Sequence, residues 1–299
     1  MLLKIGSTGD AVKTLQEYLK IKVDGIFGTL TEYVVKEWQA QNGLTPDGVV
    51  GKITWNAMAI ANTDGQERPD YVLPPITELP TLNIIPTYMP KDQYFVGPTK
   101  KEWLFLHHTA GWQNPINTVN CWSRDDRGAI ATEFVIGGQS IKGDDNSQDG
   151  IVAQAFPAGG YAWHLGTGRS AMHINSVGIE CCNFGQIENG KTYVGVVAAQ
   201  SQIVKLESPF RGHSTWHKYS DKQLHALREL IKYIEKRDSI DVRKGLPELI
   251  KTKGPTVAFN FCDANYVSEH KGLWSHANVL KTKVDMFPQP ELIDLLRSL

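Results

Sequence analysis

Nowhere in its 299 residues does the chain hold an apolar run long enough to cross a bilayer. It carries no excess of one charge either: 31 Lys and Arg stand against 32 Asp and Glu, a formal net charge of −1. That balance argues against a nucleic-acid binder driven by phosphate neutralisation. Cysteine is scarce. Cys121, Cys181, Cys182 and Cys262 are scattered without C-x-x-C spacing, which excludes a disulfide scaffold and a zinc ribbon. They read as reduced, structural residues, with neighbouring Cys181 and Cys182 facing opposite ways on a strand. The first residues, M-L-L-K-I-G-S-T-G-D, lack a basic segment followed by an apolar one. The expectation is synthesis in a cytoplasm without a secretory signal. The length is a prior for two domains, and the composition suits sizeable cores.

A short internal repeat opens the chain. Asp24 to Thr31 and Asp47 to Thr54 both read D-G-x-x-G-x-x-T. The D-G pair makes a tight turn, because glycine tolerates positive φ, and the Thr is placed to cap the following helix. Val12, Leu15, Gln16 and Leu19 before the first copy, and Val34, Val35 and Trp38 after it, recur at helical spacing. Residues 1–62 are therefore expected to form a small three-helix bundle. Over 63–99 the composition changes. Pro69, Pro74, Pro75, Pro80, Pro86, Pro90 and Pro98 forbid long helices and imply a semi-rigid linker packed partly against the next domain, with one short strand within Leu79–Ile85.

Residues 100–299 alternate between strand-like and helix-like segments. Trp103–Leu106 is an apolar run ending at His107-His108; Thr132–Ile136, Ile151–Phe156 and Val177–Cys182 read as further strands. Asn114–Arg127 and Ser220–Glu235 read as helices. The second shows a capping box, Ser220 with Gln223, and an apolar face of Leu224, Leu227, Leu230, Ile231 and Ile234. The fold class is thus α/β: a small N-terminal three-helix bundle, then a mixed β-sheet flanked by helices.

His107 and His108 cannot both face one site on a regular strand. His276 and Asp285 are nine residues apart and match no dense local metal motif. Together with His107 they supply two imidazole nitrogens and one carboxylate, a set suited to zinc with a fourth position left open. His270 is a rival third ligand. Lys283, two residues before Asp285, would place a cation beside charge developing at the metal.

Residues Leu2–Asn62, with G-S-T-G-D-A-V-K-T-L-Q, both D-G turns and V-K-E-W-Q, resemble the peptidoglycan-binding domain attached to many cell-wall hydrolases. From about Gln93 to Leu299 the chain resembles the zinc-dependent N-acetylmuramoyl-L-alanine amidases of type 2, whose fold is shared with animal peptidoglycan-recognition proteins. The resemblance is carried by L-F-L-H-H-T-A-G, A-W-H-L-G at Ala162–Gly166, N-S-V-G-I-E at Asn175–Glu180 and S-H-A-N-V-L-K-T-K-V-D at Ser275–Asp285. It implies Zn²⁺ held by His107, His276 and Asp285, with Glu180 and Lys283 catalytic and His164 and Thr109 touching substrate. It favours His276 over His270, because only His276 keeps Lys283 and Asp285 in register.

The implied function is cleavage of the amide between N-acetylmuramic acid and L-alanine of the stem peptide in bacterial peptidoglycan, by an endolysin of phage or prophage type acting on the wall after release. A non-catalytic recognition protein and a zinc peptidase cutting within the stem are the alternatives. No nucleic-acid partner is expected, and the sequence sets no oligomeric state. Two segments, Gly185–Ser220 and Ser239–His270, exceed a minimal family member. Thr132 stands where some members carry a catalytic Tyr, and Glu133 where a His is common.

Overall fold

The two D-G turns fold into the same local structure, 23 residues apart in register. In the computed structural model, which describes residues 2–42, 44–45, 47–63, 82–168 and 170–299, Gly25 and Gly48 sit at φ of 72° and 73°. A buried glutamine closes each turn. Gln16 Nε2 donates to Asp24 Oδ1 at 2.8 Å, to the Ile26 carbonyl at 3.0 Å and to Thr31 Oγ1 at 3.1 Å, while its Oε1 accepts from the Gly25 amide at 2.8 Å. Gln39 repeats the pattern on Asp47, Val49, Thr54 and Gly48 at 2.8, 3.1, 3.2 and 2.9 Å. The repeated threonines therefore do not cap. Thr31 and Thr54 lie inside the first turns of their helices and serve the glutamine networks.

These networks tie together α1 (Asp10–Tyr18), α2 (Thr29–Gln41) and α3 (Lys52–Thr63), packed over Leu15, Phe27, Val34, Val35, Trp38 and Val50. They belong to the first of two compact units, Met1–Thr81.

The second unit, Leu82–Leu299, begins inside the proline-rich segment. The segment expected as a linker, 63–99, runs into this unit. Ile84–Pro86 is strand β1, Met89 is buried with its amide on the Ala155 carbonyl at 2.8 Å, and the Phe95 amide reaches the Tyr161 carbonyl at 2.8 Å. Prolines separate these pieces without preventing them from packing. The remaining expected linker positions, 64–81, and the start of the strand expected over Leu79–Ile85 lie outside the described residues.

The sheet adds β2 (Trp103–His108), β3 (Phe134–Ile136), β4 (Val152–Gln154), β5 (Ser176–Cys181) and, late in the chain, Gly272–Ser275. Between β5 and that last strand come the two-stranded β6 (Ile203–Phe210) and β7 (His213–His217), so Gly272–Ser275 is β8. The six-stranded order is β1-β4-β3-β5-β2-β8, parallel at β3-β5, β5-β2 and β2-β8 and antiparallel at β3-β4. All six residues of β2 are buried, as a central parallel strand covered on both faces requires.

Helix α4 (Pro115–Trp122), capped by the Asn114 side chain, packs near β3 and β4, where Val119 joins Val135, Ala153 and Cys182 in one apolar cluster. After the short α5 (Ser170–Ile174), the long α6 (Asp221–Asp238) buries Leu224, Leu227, Leu230, Ile231 and Ile234 in the larger core. The cap at its start is half of the expected box. Ser220 Oγ accepts from the Gln223 amide at 3.0 Å, but the Gln223 side chain donates instead to the carbonyls of Ile136 and Cys182, tying the ends of β3 and β5. The longer segments become the β6–β7 hairpin and the helices α7 (Leu246–Lys253), α8 (Pro255–Asn260) and α9 (Ala264–Glu269); α10 (Pro290–Arg297) packs on α6 and α7.

Candidate active site

The parallel strands β2, β5 and β8 deliver their C-terminal ends to one place, the usual location of a site in such a sheet. His107 is the fifth residue of β2 and is paired in register with Glu180 of β5, so both side chains leave the sheet on the same side. His276 begins the turn directly after β8, and Asp285 is tied to it by the hydrogen bond from the Ala277 amide to the Asp285 carbonyl, 2.9 Å.

His107, His276 and Asp285 are all buried, and among the described residues they are the one His/Cys/Asp/Glu group placed to hold a metal. His107 Nδ1 lies 3.0 Å from His276 Nδ1 and 3.3 Å from Asp285 Oδ2, and His276 Nδ1 lies 2.9 Å from Asp285 Oδ2. Ligands about 2.0–2.1 Å from a tetrahedral zinc stand about 3.3 Å apart, close to this spacing. The proton count points the same way. A neutral imidazole has one N–H. His276 Nε2 lies 3.0 Å from the Leu165 carbonyl, which can only accept, so a neutral ring carries its proton there and leaves Nδ1 as a lone pair facing a carboxylate. Two buried acceptors at that distance call for a cation between them. The donor set fits zinc.

The electrostatics agree. Burial pushes the His107 imidazole down to about 4, with neighbouring His276 adding to the shift, so its ring is neutral near pH 7. Burial alone would raise Asp285, but the two imidazoles beside it outweigh burial and hold the carboxylate well below its usual range. Glu180 is different. Burial raises it well above the ordinary carboxyl value, Asp285 raises it further, and Lys283 acts in the opposite sense. Its Oε2 is buried with no hydrogen-bond partner, a carboxyl oxygen left free for chemistry.

Residues 98–285 match the family model described as N-acetylmuramoyl-L-alanine amidase, and residues 8–58 match one described as a peptidoglycan binding domain. The chain belongs to the N-acetylmuramoyl-L-alanine amidase family. A Kitasatospora aureofaciens protein, described as uncharacterized and lying in the bpoA1 3′ region, is 38% identical over 71 residues, 21% of this chain. The chain spans 60% of the length of that relative. Among solved structures, the Burkholderia AP3 phage endolysin is 31% identical over 23% of this chain and 27% of its own, with a TM-score of 0.20. A mutant endolysin from Bacillus subtilis is 17% identical over 54% and 80%, TM-score 0.35. The E. coli amidase AmiD, solved with anhydro-N-acetylmuramic acid-L-Ala-D-gamma-Glu-L-Lys, is 17% identical over 69% and 60%, TM-score 0.36.

In this amidase-family chain the triad opens onto a cleft of about 570 Å³. Thr109, Glu180 and Lys283 line it, with Trp122, Arg127 and Trp163. Thr109 Oγ1 accepts from the Asn183 amide at 3.2 Å, which leaves its hydroxyl proton free for a ligand. Phe184 and Tyr193 also face the cleft, and Tyr193 donates to the Ala110 carbonyl at 2.9 Å. Tyr193 belongs to the extra segment after Gly185, and its position depends on that hydrogen bond rather than on any motif in the sequence.

Other histidines fall away from the triad. His108 faces the opposite side of β2 and meets the Tyr219 hydroxyl at 2.9 Å. His270 stacks on Tyr266, ring centroids 3.6 Å apart, and is not in the metal-binding group, which removes the rival ligand. Glu133 is buried on Arg237 and Gln154, and Thr132 Oγ1 donates to the Phe134 carbonyl at 2.9 Å. His164, expected to touch substrate, lines the cleft, with one ring nitrogen 3.0 Å from His107 Nε2 and the other 2.8 Å from Ser176 Oγ.

Proposed function

We propose that the chain hydrolyses the amide joining the lactyl group of N-acetylmuramic acid to L-alanine of the stem peptide in bacterial peptidoglycan. In this reading it is an endolysin of phage or prophage type, made in a cytoplasm and acting on the wall after release, with residues 1–62 localising residues 100–299 on the wall. The observation that carries the reading is the convergence of His107, His276 and Asp285 beside an unpartnered Glu180 in a chain of the amidase family. No helix among the described residues is long and apolar enough to cross a membrane.

The three residues would hold Zn²⁺, and Thr109 would help seat the substrate. When bound, zinc supplies Lewis acidity, acidifying water and polarising the amide carbonyl. Glu180 takes a proton from the attacking water as its oxygen bonds to the carbonyl carbon. Lys283 faces the oxyanion that develops there. Glu180 then gives the proton to the alanine nitrogen as the C–N bond breaks, releasing a free stem peptide and an intact lactyl carboxylate. The raised affinity of Glu180 for protons suits this shuttle.

The test is digestion of purified peptidoglycan by zinc-loaded protein beside His276→Ala, with products identified by mass. Stem peptides beginning at L-alanine and uncut glycan strands, seen with the wild type alone, are expected. Wall binding without cleavage would favour a recognition protein, and cleavage inside the stem would move the scissile bond.

A further inference from the structure

We propose that the loop Trp163–Thr167 is the outer support of the metal centre, with His164 a positioning residue that fixes which nitrogen of His107 faces the metal. The proposal rests on the zinc reading of His107, His276 and Asp285.

Protons can be traced from Ser176 through His164 to His107. Ser176 Oγ lies 3.3 Å from the His173 carbonyl, and since a carbonyl cannot donate, the serine spends its only proton there. Ser176 must therefore accept from His164 Nε2, 2.8 Å away. With its proton on Nε2, the neutral His164 ring presents a bare Nδ1 to His107 Nε2 at 3.0 Å, so His107 is the donor. Its proton is thereby held on Nε2 and its lone pair on Nδ1, the atom that faces His276 and Asp285.

The same loop serves the second histidine. The residue after His164 supplies the carbonyl that takes the proton of His276 Nε2, at 3.0 Å. The loop is itself braced. The His164 amide donates to His173 Nδ1 at 3.2 Å, and His173 Nε2 lies 3.1 Å from the Thr167 carbonyl. Glycine at 178 leaves space for the arrangement. A Cβ there would stand 2.6 Å from Thr132 Cγ2 and 3.2 Å from His164 Nδ1. One side chain and one backbone carbonyl, adjacent in sequence, thus set the tautomers of both histidine ligands. Such outer partners raise ligand basicity and fix ring orientation, and their loss commonly weakens metal binding by about 10–100-fold.

The experiment measures zinc affinity of the full chain by competition with a chromophoric chelator, for wild type, His276→Ala, His164→Leu and His164→Asn. Asparagine places its Oδ1 about where His164 Nδ1 stands and keeps the acceptor; leucine removes it. The expected result is zinc affinity about 10–100-fold weaker for His164→Leu, recovered in large part by His164→Asn, with KM unchanged at saturating zinc. Long-range ¹⁵N correlation spectra of the metal-free wild type should show His107, His164 and His276 as Nε2–H tautomers. Wild-type zinc affinity in His164→Leu, or an Nδ1–H tautomer at His107, overturns the proposal. So does a raised KM with zinc affinity unchanged, which would return His164 to the substrate. His276→Ala separates the two levels: if wild type and His276→Ala take up zinc alike, the metal reading fails and this proposal with it; if only wild type binds, the His164 variants decide alone.

Discussion

The two units each hold a buried polar cluster, and the clusters differ in how their protons are used. Around Gln16 and Gln39 every acceptor meets a donor. The glutamine amide feeds an aspartate, a carbonyl and a threonine, and the aspartates turn back to cap their own turns at the Ile26 and Val49 amides, 3.0 and 2.8 Å away. Donation from Gln16 lowers the Asp24 pKa, so the carboxylate is settled in its network. Around His107 the histidine protons point outward, to His164 and Leu165, and the acceptors point inward at one another. A closed network holds a turn; an open one demands a cation. Polar residue types alone do not tell these apart. The direction of each proton does.

Glu180→Gln breaks the open side of this comparison most severely. The amide keeps the shape of the carboxyl but cannot shuttle a proton, so kcat is expected to fall by about 10²–10⁴. Zinc content by metal analysis should not change. An equal loss of metal would mean that Glu180 belongs to the ligand cluster.

Acid sharpens the comparison next, because none of the nine histidines lies in residues 1–62. Burial lowers His108 to about 4 and His217 to about 3, from an ordinary value of 6.5. An unfolded chain thus binds more protons than the folded one between these values, and stability falls as pH drops below about 6.5, levelling off only near pH 3. The metal-free protein, followed by hydrogen exchange of the full chain, should lose protection in the second unit over this range while residues 1–62 keep theirs. Equal losses in both would remove the histidines as the cause.

The smallest effect tests the closed side. Gln39→Ala strands the Gly48 amide and unties Asp47 from Thr54, costing about 1–3 kcal/mol locally. Exchange protection should drop in α2 and α3, with hydrolysis of a soluble muramyl peptide unchanged. Gln16→Ala should do the same around α1. If either variant lowered cleavage of the soluble substrate, the independence of the two clusters would be lost.

What could be read in the sequence follows from how local each signal is. The ligand residues sit in short contiguous motifs, and β2 and α6 announce themselves by an apolar run and a helical repeat. Gln16 and Gln39 were visible as a pair only once the turns were seen to close on them, since each partner lies 8–15 residues away. The contacts of His164 with Ser176 and His107 could not be read from the sequence, because these partners are 12 and 57 residues distant and only the sheet brings them together. The β6–β7 hairpin escaped notice because half of β6 is exposed in a run that includes Pro209, so it lacks a strand's alternation. The helices α7 to α9 are six to eight residues long, too short for periodicity to show.

The sheet's two borders carry a further consequence. On one side β1 is three residues long and ends in Pro86, which has no amide hydrogen to offer. On the other, β8 is met by the chain at Gly245, whose added Cβ would stand 2.4 Å from the Leu273 carbonyl, with the Leu273 amide bound to the Lys244 carbonyl at 3.1 Å. Among the described residues, neither border offers a long, open row of backbone groups on which a second copy could add its own strand. The sheet is thereby guarded against edge-to-edge aggregation, and the guard is built into its ends, away from the triad.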